Sequence, residues 1–144
     1  PTHSGYFTKM RVIDETTSKM HFDPKAKPKG MLRIVLAMKN SVRAISWLVK
    51  NESAFRQELI LLILAAGVLA FWSIPYMEKA ILLSSILFVL FAEIINTAIE
   101  VTIDRIGKEI HPLSGLAKDL GSAAVLVTIA ISSLLWLATL CRYF

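Results

Sequence analysis

Apolar residues fall along this chain in three long runs, and the polar positions inside and between them define the elements. The first, Leu59 to Trp72, carries no charge. Counted from Ser53 it gives about 20 residues, enough to cross a hydrocarbon core of roughly 30 Å, and predicts a membrane helix over 53–72. The link Ser73 to Lys79 holds Pro75 as a breaker, with Trp72 and Tyr76 at an interfacial level. A second run opens at Ala80 and continues into Glu93-Ile-Ile-Asn-Thr-Ala-Ile-Glu-Val-Thr-Ile-Asp104, predicting a helix over 78–104. On that helix Glu93, Asn96, Thr97, Glu100 and Asp104 recur at i, i+3, i+4, i+7 and i+11 and share one face, while Ile94, Ile95, Ala98, Ile99 and Val101 make the other face apolar. The third run, Leu120 to Cys141, is free of charge and closed by Arg142, and predicts a helix over 117–141.

Ahead of these runs, residues 31–51 set Leu32, Ile34, Val35, Val42, Ile45, Trp47 and Leu48 against Arg33, Lys39, Arg43 and Lys50. A segment with so broad an apolar face and a basic edge is too charged to span, and is expected to be an amphipathic helix on the surface of an anionic leaflet. Residues 1–30 are polar and broken by Pro24, Pro28 and Gly30, which predicts a flexible arm. The arm contains no apolar core of a signal peptide, so membrane insertion is expected to use the later helices. The fold class is therefore an all-α membrane protein, with a surface helix and three transmembrane helices forming one membrane domain over 31–144.

Composition agrees and removes alternatives. In 144 residues, 55% hydrophobic content and a mean hydropathy of +0.58 exclude an ordinary soluble domain. The formal charge of +5 is not a nucleic-acid signal, because a basic groove with interleaved aromatics is missing and the positive charges cluster beside apolar runs. They report topology instead. The basic N-terminal side and the 105–118 loop, with Arg105, Lys108 and Lys118, are expected in the cytoplasm, whereas the 73–79 link has only Lys79. The single cysteine, Cys141, excludes an intramolecular disulfide and a cysteine-based zinc site.

With that topology the polar residues converge at the cytoplasmic face: Glu52, Arg56 and Glu58 from the first span, Glu93 to Asp104 from the second, Lys118, Asp119 and Ser122 from the third. Carboxylates at i and i+7, with a third from another helix, suit Mg2+, which prefers oxygen ligands and often shares one or two carboxylates with phosphates. Lys118 beside a helix N-terminus supplies positive charge for an anion. Glu93, deepest in the stripe, is placed to take a proton from a hydroxyl. The set describes metal-assisted phosphoryl transfer, and no Walker A, kinase glycine-rich loop, Gly-x-Ser-x-Gly or His-Glu-x-x-His motif offers another route. From spacing alone a proton or ion path is nearly as good a reading, and a structural subunit held together by polar contacts is a third. Individually, Glu52 and Arg56 read as an i, i+4 ion pair at a helix start, His111 as a solvated loop residue, Ser114 as a cap and Ser122 as a packing residue.

Longer motifs narrow the choice. Asn51-Glu-x-Ala-Phe-Arg-Gln-Glu58, Glu93-Ile-x-Asn-x-Ala-Ile-Glu100, Asp104-Arg-Ile-Gly, His111, Leu113-Ser-Gly and Ala117-Lys-Asp-x-Gly-Ser-Ala-Ala-Val-Leu126 stand in order and at the spacing of the small integral-membrane prokaryotic diacylglycerol kinases, which the chain resembles from Arg33 onward. The Asp104-Arg-Ile-Gly and Leu-Ser-Gly elements look like the Gram-negative branch, which phosphorylates diacylglycerol, rather than the branch acting on undecaprenol. The resemblance implies a homotrimeric bundle in the bacterial inner membrane that transfers the γ-phosphate of Mg-ATP to diacylglycerol, giving phosphatidic acid. It also assigns roles. Glu93 becomes the general base and Glu52 and Glu100 the Mg2+ carboxylates; Arg33, Asn40, Glu109, His111, Lys118 and Asp119 become nucleotide contacts; Arg56, Glu58, Asn96, Ser122 and Trp136 become lipid contacts. Asn40 stands where the best-known relatives carry an aromatic, and Leu36 and Leu116 replace basic residues.

Overall fold

The computed structural model describes residues 30–107 and 111–144. All but Gly30 of the arm expected over 1–30 lies outside the described residues. Four helices follow, with no strand among the described residues: α1 Met31–Asn51, α2 Ser53–Phe71, α3 Tyr76–Ile106 and α4 Pro112–Tyr143. α2, α3 and α4 are each long and apolar enough to cross a membrane.

The chain divides into two units inside α1, between Val42 and Arg43, and only residues 30–42 of the first are described. In the first, Gly30 takes φ 65, a left-handed conformation that only glycine adopts without strain, and its carbonyl accepts the Arg33 N–H at 3.1 Å to open α1. Met31 to Val42 are exposed, apolar residues included.

In the second unit, α1 ends on Leu48, which is buried with Phe55 of α2 and Leu90 of α3. The joint between α1 and α2 is a single extended residue, Glu52, whose N–H bonds to the Leu48 carbonyl at 2.8 Å. Asn51 donates to the Trp47 carbonyl, and the Arg56 guanidinium reaches back to the carbonyls of Val49 and Lys50 at 3.2 and 3.3 Å, closing the C-terminus of α1. The i, i+4 ion pair expected between Glu52 and Arg56 does not form. That spacing brings side chains together only when both residues are helical, and Glu52 is the extended N-cap.

α3 is the centre of the unit, packed against both α2 and α4. About half of its most apolar window is buried, against 17% for α2 and 11% for α4. Its buried residues, Leu82, Ser85, Ile86, Val89, Leu90, Glu93, Asn96 and Thr97 among them, follow helical spacing along one face. The polar stripe is thus the inward face, and Ile94, Ile95 and Val101 on the other side are exposed, as a lipid-facing surface requires.

α3 and α4 are antiparallel with a register set by two contacts. Asn96 meets Gly121, and Ser85 meets Ser132; both intervals are eleven residues, about three turns. A Cβ at Gly121 would collide with the Asn96 side-chain oxygen and lie 3.6 Å from the Asn96 Cα, so glycine is what allows the two backbones to approach. α4 also begins at Pro112, five residues earlier than the expected 117. Proline at the first helical position forfeits no hydrogen bond, and Gly115 sits in the helix without ending it.

Candidate active site

The stripe on α3 grades from buried to exposed. Glu93, Asn96 and Thr97 are 7%, 8% and 5% exposed, Glu100 is half-buried, and Asp104 is open to solvent. Helical periodicity explains the alignment, and the tight α3–α4 crossing at Gly121 explains why its deep end is shut away. Asn96 Nδ2 donates to Glu100 Oε1 at 3.1 Å and so orients that carboxylate, while Asn96 Oδ1 is buried with no partner.

Other elements bring further charges to the same end of the bundle. Glu52 at the α1–α2 joint and Glu100 both lie close enough to interact electrostatically with Glu93, as does Glu58 in the first turns of α2. Glu58 Oε2 is buried and has no hydrogen-bond partner. Lys118 of α4 forms an ion pair with Asp104 at 2.5 Å and feels the charge of Glu100. Three carboxylates around Glu93 and one lysine at the rim make a negatively charged, incompletely satisfied centre, which is unstable unless cations or hydrogen-bond donors join it. Among the described residues no three acidic, histidine or cysteine side chains converge closely enough to enclose a metal ion by themselves. The all-oxygen donor set and the orphaned carboxylate and amide oxygens fit a hard cation that takes its remaining ligands from phosphate or water.

Below this centre a cavity of about 440 Å³ runs between α2, α3 and α4. Glu58 and Glu93 stand at one end, Ile86, Ser132 and Ser133 at the other, and the walls between are apolar. It is open at the side: Leu61 and Ile129, on two of its walls, are 55% and 43% exposed.

The remaining sequence-predicted site residues are scattered. His111 is the N-cap of α4, its Nδ1 accepting the Leu113 N–H at 3.2 Å, a capping role the sequence reading gave to Ser114. Asp119 and Ser122 are exposed on α4. The Arg56 guanidinium is engaged by α1 carbonyls. Trp136 packs on Leu69, Ile74 and Leu82 in the other half of the bundle, far along α4 from the carboxylates. Arg33 and Asn40 are exposed on α1 within the first unit, and Glu109 lies outside the described residues. Sequence reading has Gly121 only as part of a motif, without its contact to Asn96, and overlooks the pair Ser85–Ser132. Their signals were a lone glycine inside an apolar helix and hydroxyls within apolar runs.

The fold and site define a three-span membrane protein with a carboxylate-headed groove between its helices. Comparison with known proteins places it further: the chain belongs to the prokaryotic diacylglycerol kinase family, whose profile matches residues 39–140, and it is a kinase of that family. It is 40% identical over 117 residues to the diacylglycerol kinase of Escherichia coli K12, covering 80% of this chain and 94% of that one. Against the diacylglycerol kinase of Haemophilus influenzae it is 36% identical over 110 residues (76% and 93% covered), and against that of Pseudomonas aeruginosa 36% identical over 107 residues (74% and 87% covered). These relatives come from Gram-negative bacteria.

Proposed function

We propose that this protein is an inner-membrane lipid kinase that transfers the γ-phosphate of Mg-ATP to diacylglycerol, giving phosphatidic acid and ADP. The observation that carries the reading is the position of Glu93. It is a buried carboxylate at the head of an apolar groove, on the same helix face as Glu100 and within electrostatic reach of Glu52.

The diacylglycerol hydroxyl lies at the groove head beside Glu93, with its acyl chains in the groove. As the hydroxyl oxygen bonds to the γ-phosphorus, the bond to the β–γ bridging oxygen breaks and the hydroxyl proton passes to the Glu93 carboxylate. Glu52 and Glu100 would hold Mg2+, with Asn96 keeping Glu100 in place. When bound, the ion supplies charge neutralisation on the phosphate oxygens. Lys118 balances the transferring charge from the rim, its partner Asp104 holding it near Glu100. Arg33, Asn40, Glu109, His111 and Asp119 are assigned to the nucleotide, and Glu58 and Asn96 to the glycerol headgroup. Arg56 and Trp136 are better assigned to helix capping and core packing. The enzyme is a homotrimer with its N-terminus and active site in the cytoplasm and α1 resting on the membrane surface.

The test is transfer from γ-labelled ATP by purified protein in mixed micelles, offering diacylglycerol and undecaprenol side by side, with and without Mg2+. Magnesium-dependent labelling mainly of diacylglycerol is expected. Preference for undecaprenol overturns the substrate, and labelling of neither by folded protein overturns the kinase mechanism proposed here. Cross-linking in detergent, expected to stop at a trimer, checks assembly.

A further inference from the structure

The groove below Glu93 has a built end. Along α3 its wall runs Glu93, Val89, Ile86, at i, i−4 and i−7, a length of about 10 Å at 1.5 Å per residue. On α4 the facing wall runs Val125, Ile129, Ser132 and ends at Ser133. Ser85, which precedes Ile86 on α3 and is not part of the lining, is 6% exposed and donates its hydrogen to the Leu82 carbonyl at 2.7 Å. A hydroxyl has one hydrogen to give, so Ser132, 8% exposed, is the donor in the 2.9 Å bond between the two oxygens. One turn further, Leu82 and Leu69 are 1% and 2% exposed and pack with Ile74 and Trp136, leaving no continuation of the groove. A hydrogen bond between α3 and α4 thus stands at the closed end of the groove, with Ser132 in the lining and Ser85 behind it.

We propose that the Ser85–Ser132 bar is the floor of the groove and determines how long an acyl chain the enzyme accepts. This rests on the reading above that the groove holds diacylglycerol. A methylene chain gains by burial against Val89, Val125 and Ile129 as it descends. Once it reaches the bar, each further methylene must either break a satisfied interhelical hydrogen bond or bend out through the open side between α2 and α4, and both forfeit that gain. The bar is therefore a specificity determinant remote from the chemistry: a carboxylate head selects the hydroxyl, and a serine floor limits the chain.

The experiment measures kcat/KM for diacylglycerols of short, medium and long acyl chains with the wild-type protein and with Ser132→Ala, Ser85→Ala and Ser133→Leu. Ser133 lines the same end of the groove outside the Ser85 bond, so the leucine shortens the slot without removing the bar. The long-to-short ratio is expected to rise in Ser132→Ala and Ser85→Ala and to fall in Ser133→Leu, by about tenfold, the discrimination one methylene commands in an apolar pocket. Intact melting transitions in detergent identify folded variants, and the two alanine variants still decide the matter if the leucine one does not fold. Unchanged ratios in folded, active variants overturn the floor while leaving the kinase reading intact. A uniform loss for all chain lengths together with loss of the oligomer overturns it too, because a second copy of the chain would then fill the groove. Absence of lipid phosphorylation in the wild type defeats the underlying reading instead.

Discussion

The two ends of the helical bundle treat charged groups in opposite ways, although the buried Trp136 N–H at the aromatic end is also without a partner. At the aromatic end, Glu78 of α3 has one oxygen, Oε1, that accepts from Arg142 at 3.0 Å and from the Tyr143 hydroxyl at 3.1 Å, while Trp72 stands edge-on to Tyr143 and against Phe144. Donor and acceptor meet, and the cluster fastens the C-terminus of α4 to the start of α3. At the carboxylate end, Glu58, Glu93, Glu100 and Glu52 gather with few donors, and oxygens of Glu58 and Asn96 are buried without partners. Matched polar groups at an interface act as a fastener, whereas like charges assembled and left unmatched are a site awaiting a ligand.

That contrast can be broken most directly at Glu93. Replacing it with Gln keeps shape and removes the carboxylate proposed as the base, so phosphate transfer is expected to fall by about a hundredfold to ten-thousandfold with the melting temperature in detergent unchanged or raised. Full activity would place the chemistry elsewhere. Next in size is Gly121→Leu, which drives a side chain into Asn96; a loss of about 1–3 kcal/mol in stability is expected from denaturant titration in micelles, with activity falling as Glu100 loses its orienting amide. Glu78→Gln tests the other end. It should lower stability by about 0.5–1 kcal/mol, because Arg142 in that pair is 70% exposed, and leave specific activity as it was. Smallest is Asp104→Asn, which removes an ion pair whose side chains are 39% and 57% exposed; the stability change is expected below about 1 kcal/mol and should vanish in high salt, the Michaelis constant for ATP responding more than the melting point.

Much of this was legible in the residues, and what was not had a physical reason. Three long apolar runs predict three spans, and the i, i+3, i+4, i+7 spacing predicts that Glu93, Asn96, Thr97 and Glu100 share a face, as they do on α3. That face turns inward because the alternative is hydrocarbon, a rule that needs only the solvent. The early start of α4 was hidden because Pro112 and Gly115 read as breakers, whereas proline in the first turn is compatible with a helix. The Glu52–Arg56 pair was misjudged because one extended residue at a joint abolishes helical spacing. Gly121, the Ser85–Ser132 bar and the groove depend on how α3 slides against α4, and that register is a property of two helices together, absent from the pattern of either.

The sideways opening of the groove, between walls that include Leu61 and Ile129, changes what concentration means for this protein. On the proposed reading a lipid enters from the plane of the bilayer rather than from the aqueous phase, so encounter is a two-dimensional search and the governing variable is the mole fraction of substrate among its neighbours. Adding inert lipid at constant total diacylglycerol should slow turnover, and adding buffer should not. A cell expanding or thinning its pool of diacylglycerol would thereby set the rate of its own removal, with no sensor beyond the crack between two helices.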